Sequence, residues 1–365
     1  MKRLLLFGVL ALSINAFGQS KKEQIVALNY SIDSLNTVLS TTRDKSSKDI
    51  QGLNSEITQL KNDVSSLESS TTKLTNENEK LKLDMEKMSK KNLELEAELK
   101  AMAGRAILNI PDANFKEYLV GNKEINTNGD DEIQIGEANA FSGGIGCPGM
   151  DISDLTGIEA FTALTELYCG SNQLTSLDIS KNTALTYLHC SNNQLTSLDV
   201  SKNTALTYLN CSNNQLTSLL TSLDVSKNTA LTELYCGSNQ LTSLDVSKNI
   251  ALTDLFCSPN LLTSLDVSKN TALIKLYCFT NKLTSLDVSK NTALQSLNCE
   301  SNQITSLDVS KNTALIQLKC SNNQLTSLDV SKNTALTYLY CDDNQRTCVK
   351  GLPDRLSNQG IKTCD

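Results

Sequence analysis

The 365-residue chain contains no tryptophan, and aromatic residues make up only 4% of it. Its single histidine is His189, and it has four prolines. Enzyme clefts are usually rich in aromatic side chains and often use histidine for proton transfer, so this composition argues against catalysis. The sequence also contains no glycine-rich phosphate loop, nucleophile elbow or HExxH zinc motif. We therefore predict a protein that is not an enzyme.

The chain also lacks an excess of positive charge. Its formal net charge is −7, which disfavours a nucleic-acid partner. The excess of acidic over basic residues lies in residues 104–163, a segment with ten acidic and three basic residues that we treat as a connector between two repetitive regions.

Residues 1–18 have the features of a secretory signal peptide. Two basic residues precede an apolar run from Leu4 to Leu12, and small residues stand at Ala16 and Gly18. The run is too short to cross a bilayer. We expect a mature chain without a membrane span that is secreted, held at the cell surface or located in the periplasm. A retained anchor is the alternative.

Residues 19–103 predict an α-helical coiled-coil stalk. From residue 50 onward, apolar side chains recur with alternating spacings of three and four. Heptad position a holds Ile50, Ile57, Val64, Thr71, Asn78, Met85, Asn92 and Leu99, and position d holds Leu53, Leu60, Leu67, Leu74, Leu81, Met88, Leu95 and Met102. β-Branched residues at a with leucine at d favour a parallel two-stranded homodimer.

Charged residues beside the heptad seam support the same orientation. In a parallel dimer, three interhelical pairs bring opposite charges together: Glu56–Lys61, Glu77–Lys82 and Lys91–Glu96. One pair, Asp63–Glu68, brings like charges together. An earlier apolar series lies in a different heptad phase and contains Ile25, Leu28, Ile32, Leu35 and Leu39. A four-residue insertion, a stutter, connects it to the later heptads. A trimer, and one amphipathic helix packed on the rest of the chain, remain alternatives.

The connector contains a predicted short helix and a loop of the calcium-binding type. Pro111 and Asp112 mark the start of the helix. The segment from 126 to 137 resembles an EF-hand or dockerin-like loop, and the resemblance implies a calcium site formed by Asn126, Asn128, Asp130, Glu132 and Glu137. Asn rather than Asp at the first position and Asp131 in place of the usual glycine depart from that pattern. An acidic turn without a metal is an equal alternative.

From residue 164 to residue 345, a 21-residue unit repeats, as in "LTYLHCSNNQLTSLDVSKNTA". Both halves fit the pattern LxxLxLxxN, with cysteine replacing the third leucine in one half. The unit resembles the short leucine-rich repeats of secreted bacterial proteins, in which a shorter and a longer half-repeat alternate. The resemblance implies a mostly β solenoid, a parallel coil of two sheets, with secreted or cell-surface interaction roles. Residues 346–365 would form its C-terminal cap.

Nine cysteines recur at one position of this repeat: Cys169, Cys190, Cys211, Cys236, Cys257, Cys278, Cys299, Cys320 and Cys341. Equivalent residues in stacked turns lie parallel and about 4.8 Å apart, which fits neither a disulfide nor a tetrahedral metal site. We expect an inert, buried ladder. Cys348 and Cys364 lie beyond the repeats and predict a disulfide that holds the cap, whereas Cys147 has no evident partner.

One 21-residue interval is lengthened to 25 by a duplicated "LTSL" in the segment Leu216 to Asn228. We expect the extra residues to bulge at a turn, with Leu216 or Leu219 becoming exposed. Asp224 should still stack over Asp199.

The two faces of the repeat differ in variability. The "TSLDVSKN" half hardly varies, and its Asp and Lys columns predict a solvated face that neutralises itself. The outward positions of the cysteine half vary and carry most of the aromatic residues of the repeat. We expect them to bind a protein or a glycan: Tyr168, Tyr187, His189, Tyr208, Tyr235, Phe256, Tyr277, Phe279, Tyr338 and Tyr340. The predicted function is recognition or adhesion by an exported bacterial protein; the alternative is an envelope spacer without a specific ligand.

Overall fold

The computed structural model describes residues 21–22, 25–26, 29, 32–33, 47–217, 223–345, 348–359 and 363. The predicted signal peptide, residues 1–18, and Cys364 lie outside these residues. The chain divides into two compact units, Met1–Lys100 and Ala101–Asp365. The helices are α1 (Ser47–Gly104), α2 (Ala113–Gly121) and α3 (Ile135–Ala140), with two short 3₁₀ helices at Ile158–Ala160 and Asp354–Gln359. No helix among the described residues is long and apolar enough to cross a membrane.

Twelve three-residue strands lie among the described residues. They are β1 (Gly144–Gly146), β2 (Glu166–Tyr168), β3 (Tyr187–His189), β4 (Tyr208–Asn210), β5 (Glu233–Tyr235), β6 (Asp254–Phe256), β7 (Lys275–Tyr277), β8 (Ser296–Asn298), β9 (Gln317–Lys319), β10 (Ser327–Asp329), β11 (Tyr338–Tyr340) and β12 (Cys348–Lys350). Ten of them pair in parallel, in the order β1 to β9 and then β11. Equivalent residues of successive repeats pair, as Leu167 does with Leu188. The predicted parallel solenoid is confirmed.

The alternation within each strand explains its burial. Leu188 and Cys190 are fully buried, whereas His189 between them is half-buried at the surface, because successive side chains of a strand point to opposite faces. The chain then turns at the second residue after the cysteine, which has a positive φ in most repeats, as at Asn192 with φ 54°. Asparagine adopts this left-handed conformation more readily than most residues.

Two columns of buried asparagines hold successive turns together. In one column, Asn193 donates to the carbonyl oxygens of Cys169 and Cys190 and accepts from the Leu174 amide. In the other, Asn249 donates to the carbonyls of Val225 and Asn228. Each side chain thus bonds backbone groups of a neighbouring turn.

The second sheet expected for the "TSLDVSKN" half is largely absent from the described residues. Among the described residues, the only strand pair there is β10 with β12, and an isolated bridge joins Leu198 to Leu223. Each aspartate in this half accepts the backbone amide of the serine two residues later, as Asp199 does from Ser201 at 2.8 Å, and Asp329 in β10 does the same while its strand stays paired. In this half, Leu198 and Val200 are buried and Asp199 is exposed, as predicted.

The cysteine ladder has ten members rather than nine. Cys147 follows β1, and its amide donates to the carbonyl of Tyr168 just as the Cys169 amide donates to that of His189. All ten thiols are free and buried. Burial raises the pKa of the Cys147 and Cys211 thiols to about 12, so they are protonated and unreactive at neutral pH.

Helices and loops cover the N-terminal end of the solenoid. As predicted, Asp112 caps α2 by accepting from the Phe115 amide. Its second oxygen accepts from the amide and hydroxyl of Ser153. Tyr118 accepts a hydrogen bond from the amide of Gly146 in β1. These contacts fasten the connector to the first turn.

The C-terminal end carries β12 and the 3₁₀ helix. Leu356 is buried, and Arg355 donates from Nε to the carbonyl of Leu336 at 2.7 Å. Cys348 is disulfide-bonded. Its predicted partner, Cys364, lies outside the described residues, so that pairing stays a prediction.

The lengthened repeat keeps the register of the solenoid. Leu223 pairs with Leu198 across the insertion, which places Asp224 next in line over Asp199. Leu216 is fully buried and occupies the same core position as Leu195 and Leu241, so the prediction that Leu216 or Leu219 is exposed now depends on Leu219. Leu219 lies outside the described residues.

Candidate functional site

Six aromatic side chains of the variable face form one continuous row of ring contacts across strands β2 to β7, of which three are stacked, Tyr208–Tyr235 is tilted and Phe256–Tyr277 is edge-to-face. Neighbouring ring centroids are 4.6, 4.0, 5.3, 4.5 and 4.4 Å apart along the series Tyr168, Tyr187, Tyr208, Tyr235, Phe256 and Tyr277. We call these six residues the tyrosine ridge. Parallel strands place equivalent residues about one strand spacing apart, close enough for rings on adjacent turns to stack.

The ridge crosses from one outward column to another and back. Tyr168 and Tyr235 stand directly before a cysteine, whereas Tyr187 and Tyr208 stand three residues before one. The side chains lean across the strand to meet, and the planes of Tyr187 and Tyr208 are only 4° apart. Sequence analysis located the residues but not their continuity.

Most rings of the ridge have neighbours on both sides. Tyr187, for example, lies between Tyr168 and Tyr208, so its two faces are covered. The ridge therefore presents ring edges and hydroxyl groups rather than open aromatic faces. Ring edges carry partial positive charge and pack favourably against carbonyl oxygens and against the faces of other aromatic rings.

Acidic side chains flank the ridge and orient its hydroxyls. Tyr168 donates to Glu166 at 3.0 Å and Tyr235 donates to Glu233 at 2.8 Å. Burial, followed by this hydrogen bond to the carboxylate, raises the pKa of Tyr235. Asp254 beside them forms an ion pair with Lys275 at 2.7 Å, which raises the pKa of Lys275. The ridge is thus held in one arrangement before any ligand binds.

Four of the ten predicted contact residues lie outside the ridge. Tyr338 and Tyr340 are about half exposed on β11, and Lys319 lies 5.1 Å from the Tyr340 ring centroid. His189 is hydrogen-bonded to Ser191, with 2.7 Å between Nε2 and Oγ, and burial lowers its pKa. Phe279 stands after its strand and is half-buried.

The calcium-type loop lies between α2 and α3, as in a helix–loop–helix motif, and its carboxylates are occupied by protein donors. Glu137 accepts from the backbone amides of Thr127, Asn128 and Gln134. Although partial burial opposes it, this set of hydrogen bonds lowers the pKa of Glu137. Glu132 pairs with Lys116 at 2.7 Å.

The remaining candidate ligands also bond within the loop. Asp130 accepts from Asn128 and Gln134, and the Asn126 amide nitrogen donates to the Asp130 carbonyl. The sharp turn falls at Gly129, with φ 73°, rather than at Asp131. Oxygen ligands of the right type for calcium are present, but those of Asn126, Asn128, Asp130 and Glu137 already accept hydrogen bonds from the loop itself. A calcium ion would have to displace these donors, and the site stays a prediction.

Comparison with known proteins identifies the repeat. The family model "Leucine Rich repeats (2 copies)" matches residues 183–225. The solenoid is built of leucine-rich repeats. The plant receptor kinase GASSHO1/SCHENGEN3 of Arabidopsis thaliana, solved as an ectodomain in complex with CASPARIAN STRIP INTEGRITY FACTOR 2, has the same fold. Its TM-score is 0.52 at 22% identity, with 63% of this chain and 30% of that chain covered.

Two bacterial structures are also similar in sequence. The functional domain of InlJ from Listeria monocytogenes, described as including a cysteine ladder, is 35% identical over 68% of this chain, with a TM-score of 0.43. A leucine-rich repeat protein of Leptospira interrogans is 24% identical over 53% of this chain, with a TM-score of 0.45. The chain spans 63% and 58% of the lengths of these two structures. No curated protein sequence matches the chain.

Proposed function

We propose that the chain is an exported bacterial recognition or adhesion protein that binds a protein partner through the tyrosine ridge. Solenoids of leucine-rich repeats are typically scaffolds for protein interaction rather than enzymes. The observation that carries the proposal is the continuous row of six rings. Tyrosines supply large contact areas with little conformational entropy to lose, which makes them strong contributors to protein interfaces.

The geometry of the ridge favours a protein over a glycan. A sugar ring packs its C–H groups against the negative face of an aromatic ring, and Tyr187 inside the ridge has a stacked neighbour on each face. Ring edges and oriented hydroxyls instead suit the carbonyl groups and aromatic side chains of a polypeptide. A glycan ligand remains the second candidate, because Tyr338 and Tyr340 are exposed outside the ridge.

The test is to probe parallel arrays of proteins and glycans with the full chain and with the double variant Tyr187→Ala/Tyr208→Ala. Loss of these two stacked rings should weaken binding to a protein ligand at least about 100-fold, since interface tyrosines often contribute about 2 kcal/mol or more. Tyr340→Ala is the matched control and should bind normally. Unchanged binding by the double variant, or binding to glycans alone, would contradict the proposal.

The same proposal includes export and pairing. We infer that the mature chain acts outside the cytoplasm and that α1 joins two copies, so that two ridges act together. The envelope-spacer alternative predicts that both tyrosine variants behave like the unmodified protein in every binding assay.

A further inference from the structure

The apolar stripe of α1 changes its exposure half-way along the helix. Among its a and d residues, those from Leu53 to Asn78 are buried or half-buried, with Ile57 5% and Val64 7% exposed. Those from Leu81 onward are exposed. The apolar residues among them that belong to the first compact unit have these exposed fractions: Leu81 39%, Met85 36%, Met88 42%, Leu95 51% and Leu99 64%. We call these five residues the free stripe.

The first half of the stripe is therefore covered by the chain's own residues. Ile32, from the earlier apolar series, is also buried, and it belongs to the same compact unit. A partner helix cannot occupy a seam that is already covered. Any pairing between copies within the predicted coiled coil of residues 19–103 would therefore use the exposed half of the stripe.

We propose that the free stripe is where two copies of this chain pair, as a parallel, in-register coiled coil. The proposal deepens the pairing proposed above by naming its segment and its orientation. Nearly three heptads are involved, and five apolar side chains from each copy would leave water. At about 25 cal/mol for each Å² of apolar surface removed from water, such burial drives association.

Charge complementarity favours a second copy as the occupant. In a parallel pair, Glu77 of one helix faces Lys82 of the other, and Lys91 faces Glu96; each pair forms twice. The other interhelical pairs of g and e heptad positions between residues 77 and 103 bring no like charges together. An antiparallel alignment centred on the stripe would instead oppose Lys91 to its own copy.

Asn92 fixes the orientation and the register. It occupies an a position within the free stripe and is exposed. In a parallel in-register pair, a positions face a positions, so two Asn92 side chains can hydrogen-bond to each other. In an antiparallel pair, a faces d, and every d residue here is Leu or Met. The amide would then be buried without a partner, which is unfavourable.

Sedimentation of the full chain tests the segment. Leu95→Glu places a charge in the proposed seam and should raise the dimer dissociation constant at least about 100-fold, equivalent to about 2.7 kcal/mol. Leu93→Glu makes the same change outside the stripe, at a leucine that is 71% exposed, and should leave the dimer intact. Because both sites are exposed, both variants should keep their helicity. A monomeric unmodified chain, or a dimer unaffected by Leu95→Glu, overturns the proposal.

Oxidative cross-linking tests the orientation. Met88→Cys should form a covalent dimer on a non-reducing denaturing gel, because equivalent d residues lie within disulfide distance in a parallel pair. Leu93→Cys, on another face, should not. A dimer in sedimentation that Met88→Cys fails to cross-link would show a different alignment and refute the parallel arrangement. None of these variants touches the tyrosine ridge, so failure here leaves the ligand-binding proposal standing.

Discussion

The buried thiols predict that the solenoid unfolds at a mildly alkaline pH. Ten cysteines are free and buried. Burial raises the pKa of Cys257 and Cys299 to about 12 and that of Cys341 to about 11, whereas a thiol in an unfolded chain has a pKa of about 8.5. A group whose pKa is raised by folding contributes stability below its unfolded pKa and loses that contribution as the pH rises above it. The stability should therefore decline from about pH 8.5 upward.

The decline should be steep because the thiols act together. Between about pH 8.5 and about pH 11, each unfolded thiol releases a proton that its folded counterpart retains, which lowers the free energy of unfolding by about 1.4 kcal/mol per pH unit. If the ten unfold as one unit, the slope is about 14 kcal/mol per pH unit. Folded domains have about 5–15 kcal/mol in total, so we expect a midpoint at about pH 9.5.

Urea titrations followed by circular dichroism from pH 7 to pH 10.5, under nitrogen to prevent oxidation, measure this slope. Replacing Cys236, Cys257 and Cys278 by valine removes three of the ten titrating groups and should reduce the slope by about a third. A free energy of unfolding that stays constant up to pH 10.5, or an unchanged slope in the triple variant, would refute the reasoning.

Three further predictions follow from single features of the fold. Asn249→Ala removes two buried hydrogen bonds to the carbonyls of Val225 and Asn228, which keep the backbone amides of Asn228 and Leu231 as donors, and should lower the free energy of unfolding by about 1–3 kcal/mol in urea denaturation; a loss below about 0.5 kcal/mol would contradict the role of the asparagine column. Deleting Leu216–Leu219 restores the regular repeat and should keep the fold with a slightly higher melting temperature, whereas loss of folding would show that the extra residues are packed. If calcium binds at residues 126–137, EDTA should lower the melting temperature of the chain, and Glu137→Ala should abolish that difference; identical melting curves with and without calcium would favour the metal-free turn.

The sequence by itself determined the features of this protein that depend on the regular spacing of residues along the chain. The alternation along each strand decides which side chains are buried, and the constant repeat length stacks them in columns. The burial of Leu188 and Cys190 beside a surface His189 could therefore be predicted. So could a column of cysteines whose parallel side chains are not oriented to form disulfides. The cap at Asp112 was equally local, because a carboxylate three positions before an amide suffices to form it.

Tertiary structure decided what depends on contacts between turns or segments. Cys147 joined the ladder because β1 pairs with β2, although its separation from Cys169 along the sequence does not match the regular repeat. The tyrosine ridge formed because side chains on adjacent turns lean across columns, which no single-column pattern shows. The second sheet was reduced to the pair β10 and β12 among the described residues, which the repeat pattern does not show. On α1, the same heptad pattern runs from Leu53 to Leu99, yet only its second half is exposed. Periodicity defines an apolar stripe, but what covers that stripe depends on the rest of the fold.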